Sequence, residues 1–279
     1  MKKLGIVCAC LAVVLALATQ CWRANGGPSG TNSSGLAREE ASLLVGGVGR
    51  IGAMGAVPGP LVVNSNWTLI ATCPYSTIAE GHAPAVFAAA RRFGKGRVFA
   101  IGHEWHFGQP GLGMEDNERF ARNAFQWLDP VRSRKICVRQ TEWSSALEDG
   151  IVMKLQGEGW TVRQVSTETE LTQEHLANIG VLVYATRWGA ITDGEKQVVL
   201  NFIRGGGAAL LTGLGWSYKQ YKGQSSLEAY PMNQIGRELG LKFEDGCFND
   251  PRNNYNGDWR QPVITNLYPR VAEVLEAEE

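Results

Sequence analysis

Residues 83–108 read APAVFAAARRFGKGRVFAIGHEWHFG, two apolar runs on either side of Gly94-Lys95-Gly96. The first run is followed by Arg91 and Arg92; the second, 98–101, delivers Gly102, His103 and Glu104 to its carboxyl end. Runs this short, bounded by a glycine turn, read as two strands joined tightly, the second ending in a polar tip. In open α/β sheets ligands and catalytic groups collect at the carboxyl ends of strands. His103, Glu104 and His106 are therefore the first candidates for chemistry.

The second half repeats this logic. Residues 181–185 (VLVYA) are too short for a helix, read as a buried strand, and end in Thr186-Arg187-Trp188-Gly189. Thr192 with Glu195 three residues on forms a capping box for a helix running to about Arg204. Gly205-Gly206-Gly207 stops it, and AALLT (208–212) forms the next strand, ending in Gly213-Leu214-Gly215-Trp216. Strand, helix and strand in so short a span predict a right-handed parallel crossover. The triple glycine precedes a strand and lacks Lys-Ser/Thr, so it is not a phosphate loop.

Outward from these units, residues 37–45 can start a helix, and 61–63 and 67–71 are strand candidates. Residues 116–128 (DNERFARNAFQWL) place Phe120, Ala124, Trp127 and Leu128 on one helical face. A second unit begins at the strand 135–139, followed by a helix over 145–157, a strand over 160–165 and a helix over 172–177. Residues 232–239 read as another helix, 245–259 as polar turns, and 268–277 as a short helix in a connector. The expected division is a leader at 1–20, a Gly/Ser/Asn-rich linker at 21–38, α/β units at 39–132 and 133–260, and a connector at 261–279.

Several separated motifs carry a resemblance. They are AxxxxGKGRVFAIGHEWHF, Asn123-Ala124-Phe125-Gln126-Trp127-Leu128, YATRWGxxTDxE, RGGGAALLTGLGW and Tyr230-Pro231-Met232-Asn233. In this order they resemble the N-terminal region of the TRP-channel-associated factor (TCAF) family, which also occurs in enhancin-like, mucin-targeting gluzincin metallopeptidases. The likeness covers roughly residues 40–270. It implies two class I glutamine-amidotransferase-like, flavodoxin-like units in tandem, with mostly parallel sheets, and relatives that associate with membrane channels or act on glycoproteins.

The chemistry of those enzymes is not legible here. A gluzincin site needs H-E-x-x-H on a helix, whereas His103-Glu104-Trp105-His106 is one residue short and sits at a strand end. Amidotransfer needs a cysteine on a strand-to-helix elbow, and neither Thr212-Gly213-Leu214-Gly215-Trp216 nor Gly102-His103-Glu104 supplies one. No catalytic residue, metal or cofactor is assigned.

Twenty-seven basic and 27 acidic residues balance, with no basic stripe of the kind that binds nucleic acid. Lys2-Lys3, an apolar run over 4–17 and Ala16-Leu17-Ala18 outline a secretory signal rather than a membrane span. The apolar run is shorter than the about 20 residues that cross a bilayer. This predicts a secreted or cell-surface protein with no transmembrane span after cleavage. Asn32 and Asn66 head glycosylation sequons. Cys21, Cys73, Cys137 and Cys247 would remain, either paired in disulfides or as small buried groups.

Two readings of the sites stay open. His103, Glu104 and His106 either bind a ligand or hydrogen-bond neighbouring loops. Trp188, Trp216, Tyr218 and Tyr221 either line a sugar-binding face or pack over the sheet end, while Arg187 and Glu195 read as solvated charges on the same rim. The sequence favours a non-catalytic binding or regulatory module with a protein or glycoprotein partner such as a membrane channel, Arg187 being the rim's candidate charged contact. The competing reading is the N-terminal part of a mucin-directed zinc peptidase whose catalytic domain lies outside this chain.

Overall fold

Two apolar faces, one on each side of a single sheet, organise this chain. The computed structural model describes residues 35–74, 76 and 85–268, all within one unit, residues 34–279. The expected leader, Cys21, Asn32, His82 and nearly all of the tail helix lie outside the described residues.

In chain order the first elements are α1 (Arg38–Leu44), β1 (Ile51–Gly52), β2 (Leu61–Val63), β3 (Thr68–Cys73), β4 (Ala85–Phe93) and β5 (Gly96–Ile101). A 3-10 turn (Glu104–Phe107) leads on to α2 (Asn117–Leu128), β6 (Lys135–Arg139), α3 (Ser144–Leu147) and α4 (Met153–Gly157). Then come β7 (Thr161–Val165), β8 (Val181–Tyr184), α5 (Asp193–Arg204), β9 (Ala208–Thr212), α6 (Gly215–Lys222) and α7 (Pro231–Leu239). The last strands are β10 (Leu241–Phe243), β11 (Asn254–Tyr255), β12 (Asp258–Ile264) and β13 (Asn266–Leu267).

The main sheet has ten strands in the order β10-β2-β4-β5-β9-β8-β6-β7, with β3 beside β4 and β13 beside β3. From β5 to β7 every pairing is parallel; from β5 towards β10 every pairing is antiparallel. The mixed α/β class with a parallel core is therefore as expected. The two units in tandem are not separate sheets, however: β5 and β9, from opposite sides of the boundary at 132/133, pair directly from Arg97↔Ala208 to Ile101↔Thr212. The chain's last strands also return to its first half, β10 to β2, β12 to β1 and β13 to β3.

Alternation along each strand explains the layering. Phe99, Ile101, Ile136, Val138, Val183 and Leu210 face one core, covered by α1, α2 and the α3–α4 segment. Val98, Ala100, Leu182, Tyr184 and Leu211 face the other, covered by α5 and α7. Parallel strands buried on both faces read as unbroken apolar runs, which is why VLVYA and AALLT lack period-two patterning.

Four expectations change, the first being that residues 254–259, expected as polar turns, pair as β11 and the start of β12. The helix over 172–177 is a series of turns, with bonds such as Leu176 N–H to the Gln173 carbonyl; the His175 ring accepts from Thr172 N–H, and Asn178 turns to positive φ. The helix over 145–157 is broken by a π turn at Glu148–Val152. Residues expected as a loop after β9 form the helix α6.

Candidate functional site

The carboxyl ends of β5, β9, β8 and β6 share one edge, and there the expected residues meet. Glu104, fully buried at 0% exposure, follows β5. Its Oε2 accepts a 2.6 Å hydrogen bond from Thr186 Oγ1, after β8, and a 3.0 Å bond from Thr212 Oγ1, at the end of β9. Thr212 Oγ1 also accepts from the Thr186 backbone N–H. One carboxylate therefore ties three strand ends together.

His103 caps the 3-10 turn, its Nδ1 accepting from Trp105 N–H and lying 3.4 Å from Glu104 Oε1. Burial pushes the His103 pKa down against the pull of the Glu104 carboxylate. His106 is fully buried, with its ring 4.6 Å from that of Phe87 and no hydrogen-bond partner on either nitrogen. Burial, aided by His103, lowers its pKa to about 3, so at neutral pH it is an uncharged aromatic filler. Glu104 and His106 are thus closed to an external ligand. Among the described residues no group of three or more His, Cys, Asp or Glu side chains is placed to hold a metal ion.

The glycines of the elbow after β9 have no room for side chains, and Leu214 between them is no nucleophile. A Cβ on Gly215 would lie 2.3 Å from the Glu244 carbonyl oxygen, and one on Gly213 2.5 Å from the Phe243 ring. Leu214 between them is buried, its N–H donating to Tyr230 Oη. Cys73, Cys137 and Cys247 are free thiols; burial raises the pKa of each, that of Cys137 to about 11. These thiols therefore stay protonated rather than reactive.

Outside this sealed centre lies an aromatic rim. Trp143, after β6, meets Trp188 edge to face at 5.3 Å; Trp188 stacks on Tyr221 at 5.3 Å; Tyr221 lies 6.4 Å from Trp216. Trp143 and Tyr221 are 36% and 59% exposed. Trp188 and Trp216 are half-buried, their indole N–H groups donating to Ser217 Oγ and the Val57 carbonyl. Tyr218 leaves the rim: it is buried, with its ring 4.8 Å from that of Tyr230, because α6 turns its face onto the sheet.

Arg187 and Glu195 are not solvated charges. Glu195 is 2% exposed and binds Arg139 at 2.6 Å, Arg187 at 2.9 Å and Tyr184 Oη at 2.9 Å. Burial acts to raise the Glu195 pKa, but the hydrogen bond and charge of Arg139 outweigh it and hold the carboxyl below its ordinary value. Thr192 does cap α5, accepting from Glu195 N–H at 3.0 Å, while the Glu195 side chain turns inward rather than back to the cap. Arg187 in turn donates to the Gly189 and Ala190 carbonyls, which holds the Trp188 loop in shape. Arg139 and Trp143 are the residues the sequence reading missed. The signal for Arg139 was a charge closing the apolar strand KICVR; Trp143 follows β6 as Trp188 follows β8.

Two depressions, of about 1030 and 630 Å³, lie elsewhere, lined by residues such as Arg97, Trp127 and Trp160, or Ser133, Asn178 and Gly206. Neither includes a rim residue. Asn66 sits half-buried in the turn between β2 and β3.

The family model TCAF_N, described as "TRPM8, N-terminal domain", matches residues 38–255. The chain belongs to the TRP-channel-associated factor family. TRPM8 channel-associated factor 2 of Bos taurus is 30% identical over 174 residues, 59% of this chain and 16% of that protein. A TRPM8 channel-associated factor homolog of Xenopus laevis is 28% identical over 159 residues, 57% of this chain and 15% of that protein. The TCAF chain here thus matches a small part of the length of these relatives.

Solved structures give the same fold at lower identity. The IMPa metallopeptidase of Pseudomonas aeruginosa superposes with a TM-score of 0.52 at 18% identity, over 94% of this chain and 26% of the peptidase. IMPa in complex with an O-glycopeptide superposes with a TM-score of 0.52 at 15% identity, over 85% and 24%. What this TCAF chain shares with IMPa is the fold.

Proposed function

We propose that this chain is a non-catalytic binding module that engages a membrane channel or another glycoprotein through the aromatic rim at the carboxyl edge of its sheet. The observation that carries the reading is the pairing of an elbow that holds a buried leucine between two tightly packed glycines, and so no nucleophile, with an exposed, internally braced set of aromatic rings. Its relatives are named as TRPM8 channel-associated factors, which makes a TRPM8-type channel the first partner to test. A secreted or cell-surface setting fits the basic-apolar leader and the Asn66 sequon in a surface turn.

The fold shared with IMPa supports a second reading, in which this module precedes a glycoprotein-directed zinc peptidase domain. In that case it presents or orients substrate while catalysis happens elsewhere.

The test is capture of detergent-solubilised TRPM8 channel by the purified chain. The expected result is saturable capture that Trp143→Ala abolishes without changing the melting temperature. Glutamine hydrolysis or peptide cleavage by the purified chain, lost in Glu104→Gln, would overturn the reading.

A further inference from the structure

The last described strand points its continuation at the depression of about 1030 Å³. β13 runs antiparallel to β3, Asn266 beside Thr72 and Leu267 beside Ala71, and Tyr268 N–H donates to the Ile70 carbonyl. The same direction leads to Thr68, whose Oγ1 accepts from Leu36 N–H at 2.7 Å, just ahead of α1. Thr68 pairs with Ala90, and Arg92 with Arg97, so this exit lies at the edge where β5 begins. Arg97 and the α1 residues Glu39, Glu40 and Leu43 line the depression there.

Trp127, Trp160 and Leu155 give the lining an apolar patch, and Leu43 beside them is 65% exposed. Most of the charges of the lining are matched. Arg97 pairs with Glu40, Arg122 with Glu118 and Glu158, and the Asp129 carboxylate accepts from the N–H groups of Ser133 and Arg134. Three side chains of the lining have no such partner among the described residues: Glu39 on α1, and Arg132 and Arg134 just before β6. Both arginines take left-handed φ, 54° and 53°, which is uncommon for such side chains. The Asp129 clamp holds that turn and displays the two exposed guanidiniums.

We propose that this depression is the docking site of the chain's own residues 269–279, PRVAEVLEAEE. At helical spacing Val271, Val274, Leu275 and Glu278 fall on one face, with Pro269 suited to a first turn. That stripe is about 10 Å long at the α-helical rise. Its apolar part covers Trp160 and Leu43. Arg270 meets Glu39 where the segment enters beside α1, and Glu278 and Glu279 meet Arg132 and Arg134 where it finishes. Glu273 and Glu276 fall on the opposite face, towards water. The segment thus carries a cation first and carboxylates last, the complement of the three unmatched charges. The site lies at the amino edge of the parallel strands, opposite the aromatic rim, and is independent of what the rim binds.

The experiment is hydrogen–deuterium exchange of the full chain read by mass spectrometry, with a synthetic peptide of residues 269–279 as the free reference. Amides of 272–279 should exchange about tenfold or more slower than in the peptide. Arg132→Glu with Arg134→Glu should remove about fivefold of that protection, and adding Glu278→Arg with Glu279→Arg should restore it. Leu43→Ser should also reduce it a few fold, whereas Glu273→Gln with Glu276→Gln should leave it as it is. Unchanged slow exchange of the β8 and β9 amides shows that each variant is folded. Exchange at the peptide's rate in the full chain overturns the inference, as does protection indifferent to the arginine reversal. Protection that rises with protein concentration overturns it too, by making the segment's host a second copy.

Discussion

Glu104 and Thr212, 108 residues apart in sequence, meet through a 3.0 Å hydrogen bond at the adjoining ends of two parallel strands. The carboxylate is fully buried, and the hydroxyl groups of Thr212 and Thr186 are its two close donors. Thr212→Val should therefore destabilise the fold by about 1–2 kcal/mol, the scale of leaving a buried acceptor with one donor fewer. Urea denaturation measures it, and a change under a quarter of that would mean the carboxylate is not held as described.

The Arg139–Glu195 pair makes a larger demand. Both partners are almost fully buried, so Glu195→Ala leaves the Arg139 charge unpaired in the core. A loss of about 3–5 kcal/mol is expected. Replacing the two together, Arg139→Met with Glu195→Leu, should cost much less, and equal losses in the single and double variants would refute the coupling. The Trp188 loop should also loosen in Glu195→Ala, visible as a shift in indole fluorescence, because Arg187 loses its anchor.

His106 gives a pH dependence of definite sign. Its folded-state pKa is depressed to about 3, below the about 6.5 of an unfolded histidine. The unfolded chain thus binds the proton first, and stability is full above the unfolded pKa and lost as pH falls towards the folded one. Unfolding free energy should decline between about pH 6.5 and 3, His106 contributing a slope near one proton and His103, also depressed by burial, adding to it. His106→Phe, which keeps an aromatic ring beside Phe87, should flatten that decline; a profile unchanged by it would place the titration elsewhere.

The rings of the rim should separate by their burial. Trp143→Ala is expected to leave the melting temperature nearly unchanged. Trp216→Ala, which removes a donor to the Val57 carbonyl and contact with Gly59, should lower it clearly. Equal effects on unfolding would erase the distinction between ligand face and packing.

Gly215→Ser tests the elbow. The new Cβ must displace the Glu244 backbone, so a loss of about 1–3 kcal/mol from overpacking is expected, with no hydrolytic activity gained. A variant as stable as the parent would show that Gly215 has room for a side chain.

Much of this was legible in the sequence because the signals were local. Apolar runs closed by glycines marked β4, β5, β8 and β9, and Thr192 marked the start of α5. The parallel edge followed from those strands, which is why Glu104, Thr186 and Thr212 could be placed near one another. What the sequence hid was long-range. Nothing local in Leu241–Phe243 or Asn266–Leu267 says that these short strands close the first half of the sheet. Glu195 read as solvated because a capping position is usually exposed; its burial depends on Arg139, 56 residues away. Tyr218 changed sides because a helix formed where a loop was expected.

The parallel pairing of β5 with β9 sets a timetable for synthesis. When residues 96–101 leave the ribosome, one edge of β5 has no neighbour until residues 208–212 arrive more than a hundred residues later, and β3 waits longer still for residues 266–267. An open strand edge of this kind invites pairing with other chains. Expressed separately, residues 39–132 and 133–260 should therefore collect in the insoluble fraction, while co-expression as one polypeptide yields soluble protein. The molecule is a knot of dependencies between its beginning and its end, made whole only once the last strand has been delivered.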